Sequence, residues 1–130
     1  RLNVLKQALH ADVVAEADCQ PERFIPYIQP YEFEALLFSD VPTLTRIEPG
    51  WQSATAALAA ARAVAESPEH INDRPETKPA AHLERELNNP SYRKRRHGPI
   101  AAQKIGLAKI EAECAFFAAW LAQIRELAQP

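Results

Sequence analysis

Two cysteines, three glycines and no methionine occur in the 130 residues. Cys19 and Cys114 lie far apart with no CxxC or Cys/His spacing, which argues against a zinc site and gives no support for a disulfide scaffold. A reducing cytoplasm is the default expectation. There is no GxGxxG turn, GxxxxGK[ST] loop, GxSxG elbow or HExxH pair, so Rossmann cofactor binding, nucleotide hydrolysis, serine hydrolysis and zincin chemistry have no support. No apolar run approaches the roughly 20 residues that span a bilayer, and no charged-then-apolar leader pattern occurs, so no membrane partner is expected. A net charge of −2 exerts no global pull on nucleic acid, and any such contact must come from local clustering.

A hydrophobic content of 47% with 25% charged residues suits one globular domain with a real core. The first residue is Arg1, inside a helical pattern. The expectation is a single domain over residues 1–130, truncated at its N-terminus.

The most informative stretch is residues 24–40, FIPYIQPYEFEALLFSD. Phe24, Ile25, Tyr27 and Ile28 favour β structure and are bounded by Pro21 and Pro30, as in a short buried strand. A helix follows, with Gln29 as cap and Pro30 at the first position. Glu32 then falls in the first turn, where a carboxylate suits free N–H groups and the positive end of the dipole. Glu34 has Pro30, Tyr31, Leu37 and Phe38 as helical neighbours, so its carboxylate is at the edge of the apolar face or buried. Buried, it needs a cation, an arginine or a metal ion. If the chain is extended through Phe33 instead, both carboxylates share one face about 7 Å apart, close enough to flank a divalent cation.

Elsewhere the pattern is helical. Leu2, Leu5, Leu9 and Val13 mark a helix from Arg1 to about Ala17, packed on the strand that follows. Asp40, Val41 and Pro42 read as a stop and a new start. Trp51, Ala54, Leu58, Ala61 and Ala65 form an alanine-rich helix with a narrow seam. SPEHINDRPETKP, residues 67–79, is a chain of turns in which His70, Asn72 and Asp73 are candidate ligands or ordinary turn formers. A short helix over residues 80–87 ends at Asn88, Asn89 and Pro90. Arg93, Lys94, Arg95, Arg96 and His97 form a basic run, extended by Lys104, suited to phosphates of a nucleic-acid backbone. Apolar residues from Ile100 to Ile124 describe one long or two abutting helices, with Gly106 as the break. The fold class is mainly α with one or two strands. A lone strand cannot satisfy its own backbone groups, so its sheet partners are expected to precede Arg1.

Taken in order, FIPYIQPYEFEALLFSD, PEHINDRPETKP, YRKRRHGPIAAQKIGL and CAFFAAWLAQIREL resemble the domain of unknown function family 4276. The resemblance implies the C-terminal part of a Toprim-like α/β protein, whose first acidic motif, VEGxTE, precedes the part seen here. It further implies anti-phage defence or DNA transactions beside an ATPase of the AAA or SMC-like type. Carried onto this chain, it marks Glu32 and Glu34 as catalytic and Mg²⁺-holding. It also marks the motif positions His70, Ile71, Asn72, Asp73, Thr77, Pro79, Tyr92, Lys94, His97, Gly98 and Gly106. Tyr31 stands where the family usually has histidine, and Ala80, Ala81 and His82 stand where it has serine and a basic pair.

A Toprim-type site holds Mg²⁺ with carboxylates from separate strands. Two glutamates are too few, so the expectation is a metal-dependent nuclease in the full-length protein, with DNA or RNA held by Arg93–Arg96, His97 and Lys104. No catalysis and no bound metal are expected of this chain alone. The alternative is a non-catalytic interaction module docking on an ATPase, in which Glu34 pairs with Arg93 or Lys94. The enzyme reading requires Glu34 in an accessible cleft; the module reading closes it in an ion pair.

Overall fold

The computed structural model describes residues 1–72 and 74–129. It is mainly helical, at 72%, and holds no β-strand among the described residues. The α-helices are α1 (Leu2–Ala17), α2 (Val41–Thr45), α3 (Thr55–Ala63), α4 (Pro79–Glu86), α5 (Lys94–Ile105), α6 (Leu107–Glu113) and α7 (Ala115–Glu126). Short 3₁₀ segments at Pro21–Arg23, Phe33–Asp40, Pro49–Ala54, Pro68–His70 and Pro75–Thr77 link them, four of the five beginning at a proline. Proline's fixed φ suits the first position of such a turn, and its missing N–H has no bond to lose there.

The Phe33–Asp40 segment is the hub. Its residues 34–39 are all buried, so it shows no amphipathic stripe and must be covered on every side. Helices α2, α3, α4, α5 and α6 and the Pro68–His70 turn supply that cover. Leu37, Phe38, Leu44, Trp51, Leu58, Leu83 and Leu87 form the centre of the core. Asp40 closes the hub by capping α2: its Oδ1 accepts the Thr43 N–H at 3.1 Å and its Oδ2 the Thr43 hydroxyl at 2.7 Å. Two close approaches lock the far side. A Cβ on Gly50 would stand 2.0 Å from the Asn89 carbonyl oxygen, and the Trp51 indole donates to the Pro90 carbonyl at 2.6 Å.

Three expectations are corrected. Residues 24–28 make no strand, because among the described residues no neighbouring strand lies alongside to form a ladder. No helix starts at Pro30: Gln29 accepts the Tyr27 hydroxyl instead of capping, and the helical turn begins after Glu32, which is extended at φ −133° and ψ 153°. The alanine-rich helix is broken before α3, where Thr55 Oγ1 bonds the Gln52 carbonyl at 2.8 Å and the Thr45 hydroxyl at 2.7 Å.

At the C-terminal end the expected break is present at Gly106, with φ 85°, and a second follows at Cys114 between α6 and α7. Helices α1 and α7 have no buried residue. No helix among the described residues is long and apolar enough to cross a membrane.

Candidate functional site

Glu32 and Glu34 leave the hub in different directions. Glu32 Oε2 accepts the Ala80 N–H at 2.8 Å, and Oε1 lies 3.3 Å from Lys78 Nζ. The carboxylate therefore caps the first turn of α4, a helix other than its own. The expectation that Glu32 sits in the first turn of its own helix is corrected: it precedes the Phe33–Asp40 segment, and its carboxylate serves α4 instead.

Glu34 is 1% exposed. Its Oε1 accepts the Tyr92 hydroxyl at 3.4 Å, and Lys94 Nζ stands 3.2 Å from Oε2. That oxygen has a counter-charge but, among the described residues, no aligned donor, so it makes no hydrogen bond to them. Lys94 reaches in from the first turn of α5 with 60% of its side chain in water. Burial pushes the Tyr92 phenol above the ordinary tyrosine range, and the charge of Glu34 and its hydrogen bond add to the effect. Close packing of α5 sets this arrangement, since a Cβ on Gly98 would lie 3.1 Å from the Phe33 ring.

Each motif carboxylate thus carries a lysine. Among the described residues no three His, Cys, Asp or Glu side chains come together as metal ligands. Glu32 and Glu34 by themselves would give a divalent ion few of the six or more oxygens it takes, fewer still while Ala80, Lys78 and Lys94 hold them.

The basic run divides by depth. Arg93, Arg95, Arg96 and Lys104 are exposed, and Lys104 follows Lys94 by ten residues, about 15 Å along α5. Arg96 comes within 3.8 Å of Glu48. His97 is a correction: it is 1% exposed and cannot meet a phosphate backbone. Its Nδ1 accepts the Arg93 N–H at 2.9 Å, which puts the ring proton on Nε2, 3.4 Å from Glu48. Trp51 and Tyr92 pack on the ring. It sits inside because it closes the first turn of α5 from within.

Of the middle block, His70, Asn72 and Thr77 line one cleft of about 340 Å³ with His82. His70 Nδ1 pairs with the Ser67 hydroxyl at 2.6 Å, and Thr77 bonds the Arg74 N–H and carbonyl. Asn72 Oδ1 is enclosed without a donor among the described residues. Asp73 lies outside the described residues. His82 Nδ1 accepts from Arg85 at 2.8 Å, and burial, then the Arg85 charge, holds the imidazole below its ordinary value.

The sequence reading missed Glu69. It is as buried as Glu34, and its two oxygens accept the Phe116 and Phe117 N–H groups at 2.9 and 3.1 Å. Like Glu32 it caps a distant helix, here α7. No local signal could have found it, since its partners are 47 and 48 residues away. Lys78 was also missed, for the same reason.

This geometry defines a helical domain whose internal carboxylates are tied to helix starts and lysines. The chain belongs to the family described as domain of unknown function (DUF4276), whose model matches residues 1–125. Neither the curated proteins nor the solved structures compared with it give a match.

Proposed function

We propose that this chain is a non-catalytic interaction module that docks on a partner protein, with an ATPase the partner that the resemblance suggests. The observation that carries this reading is the closure of Glu34: a carboxylate 1% exposed and held by Lys94 and Tyr92 offers no oxygen to an incoming substrate or hydrated ion. Glu32 is likewise spent on α4. Titration of the full-length protein with Mn²⁺, followed by paramagnetic broadening, and a nuclease assay of it on DNA and RNA test it. No broadening near Glu34 and no metal-dependent cleavage are expected. Cleavage abolished by Glu34→Gln would overturn the module reading.

One observation favours a second reading, a Toprim-like, Mg²⁺-dependent nuclease active in defence when the protein is complete. Lys94 is mostly in solvent and can swing away, leaving Glu34 Oε2 free for a cation. Arg93, Arg95, Arg96 and Lys104 would then grip the nucleic-acid backbone. DNA binding with a salt slope of about −3 to −4, flattened by Arg93→Ala with Arg95→Ala, is its signature. Absence of binding at low salt removes it.

A further inference from the structure

Arg93 and His97 are tied to each other twice. The His97 main-chain N–H donates to the Arg93 carbonyl at 2.8 Å, and His97 Nδ1 accepts the Arg93 N–H at 2.9 Å. The imidazole thus reaches back to the N-cap of α5 as a glutamate does in a capping box. Arg93 offers no side-chain cap of its own. Pro99 has no N–H for the Arg95 carbonyl, so the helical ladder has a gap just beyond the first turn. That loosely held turn carries Lys94, whose Nζ stands 3.2 Å from Glu34 Oε2.

The other end of the ring is not fastened. Nε2 lies 3.4 Å from Glu48 Oε1 yet makes no hydrogen bond among the described residues. Arg96 meets the same carboxylate at 3.8 Å. Trp51 stands edge-on to the imidazole with centroids 4.7 Å apart and Tyr92 stacks on it at 6.0 Å. Charged side chains on the other elements packed against α5 are engaged elsewhere. Glu34 is held by Tyr92 and Lys94, and Asp40 by Thr43. In α6, Lys109 pairs with Glu113, which also meets Arg62, and Glu111 pairs with Arg125. Helix α2 carries no charge.

A neutral imidazole has one N–H and one acceptor, whereas an imidazolium has two N–H groups and no acceptor. Nδ1 therefore cannot hold a proton and the Arg93 N–H together, and turning the ring over does not help. At Glu48 the effect is opposite, because a charged donor strengthens the bond to a carboxylate about twofold.

We infer that His97 is a proton-operated pin for the Glu34 site. Neutral, it fastens the first turn of α5 and keeps Lys94 over Glu34. Protonated, it is drawn to Glu48, drops the Arg93 N–H and unfastens that turn. The gain at Glu48 offsets the loss at Arg93, so the change stays in the turn and the core remains closed. Imidazole is the side chain whose ordinary charge change falls between about pH 5 and 8, which makes mild acid the signal. The inference goes beyond the docking reading, since it concerns what opens the Glu34 site and not what the site then serves.

The test is hydrogen exchange at the Arg93 amide of the full-length protein from about pH 8 to about pH 5, expressed as a protection factor so that the intrinsic pH dependence is removed. Protection should fall about tenfold, the worth of one main-chain hydrogen bond, while Ala61 in α3 keeps its own. His97→Gln retains an acceptor that does not titrate, and its Arg93 protection should stay level. The Glu34 carboxyl ¹³C resonance, which senses Lys94, should show a step at the same midpoint in the wild type and lack it in the variant. Level protection in the wild type, an equal fall in the variant, a fall shared by Ala61, or a Glu34 resonance without the step overturns the inference. Ring ¹⁵N resonances of the wild type give a check that needs no variant: an imidazolium formed while Arg93 stays protected also overturns it. No outcome depends on metal, cleavage or a partner, so failure here is distinct from failure of the docking reading.

Discussion

Residues 35–114 and the two apolar helices outside them make opposite use of similar sequence. All the buried hydrophobic side chains named in the core fall between Ala35 and Cys114, whereas α1 and α7, two of its longest helices, have no buried residue. Leu2, Leu5, Leu9 and Val13 repeat as regularly as the seam of α3, yet only the seam reaches full burial, at Leu58, while Leu5 and Leu9 stay exposed. Periodicity shows that a helix has an apolar face; it does not show that anything lies on that face.

The comparison can be broken most directly by truncation on each side. Trp51→Ala should cost about 3–5 kcal/mol in urea denaturation, the range for a large core aromatic, while Leu5→Ala should stay within about 0.5 kcal/mol. Equal costs would mean that α1 is covered in solution. Next in size is Glu69→Ala, which strips two acceptors from the start of α7 and should cost about 1–3 kcal/mol. Exchange at the Phe116 and Phe117 amides should rise in step, and amides unchanged by the variant would show that the cap does not hold α7.

Glu34→Gln should cost about 1–2 kcal/mol, less than a fully buried pair, because Lys94 can turn to water once the charge is gone. A loss above about 3 kcal/mol would instead place the lysine inside the core. The smallest effect is alkaline. Burial pushes the Cys114 thiol up to about 11 from its ordinary 9.0, and burial also raises the phenols of Tyr27 and Tyr92. A group raised by folding supports the fold fully below its unfolded value and loses that support as the pH climbs through the folded one. Stability should therefore be level up to about pH 9 and fall towards pH 11, with Cys114→Ala shallower over that window in thermal melts.

Much of the fold could be read from the chain. The stop at Asp40, the short helix after residue 79, the break at Gly106 and the first helix all rest on caps, prolines and glycine, which act on their own neighbours. The hub was harder, because six consecutive buried residues leave no period to read. The site was legible in part. Glu34 among apolar neighbours had to find a cation, and Lys94 was one of two bases proposed for it. That Lys94 rather than Arg93 answers depends on how α5 docks against Phe33. Glu69 and Lys78 were invisible, since nothing in PEHIND or ETKP refers to residues far along the chain. His97 read as one more cation in a basic run, and only the packing of Trp51 and Tyr92 takes it inside.

The amino-acid order alone therefore determined some helix boundaries, the stop at Asp40, the start after residue 79 and the break at Gly106, and that Glu34 needed a partner, because caps, backbone restrictions and the cost of an unpaired charge are local terms. Tertiary structure decided which helix each carboxylate serves, which cations stay on the surface, and that residues 24–28 form no strand among the described residues. Those depend on distances between segments tens of residues apart, and a strand in particular exists only when a second one lies beside it.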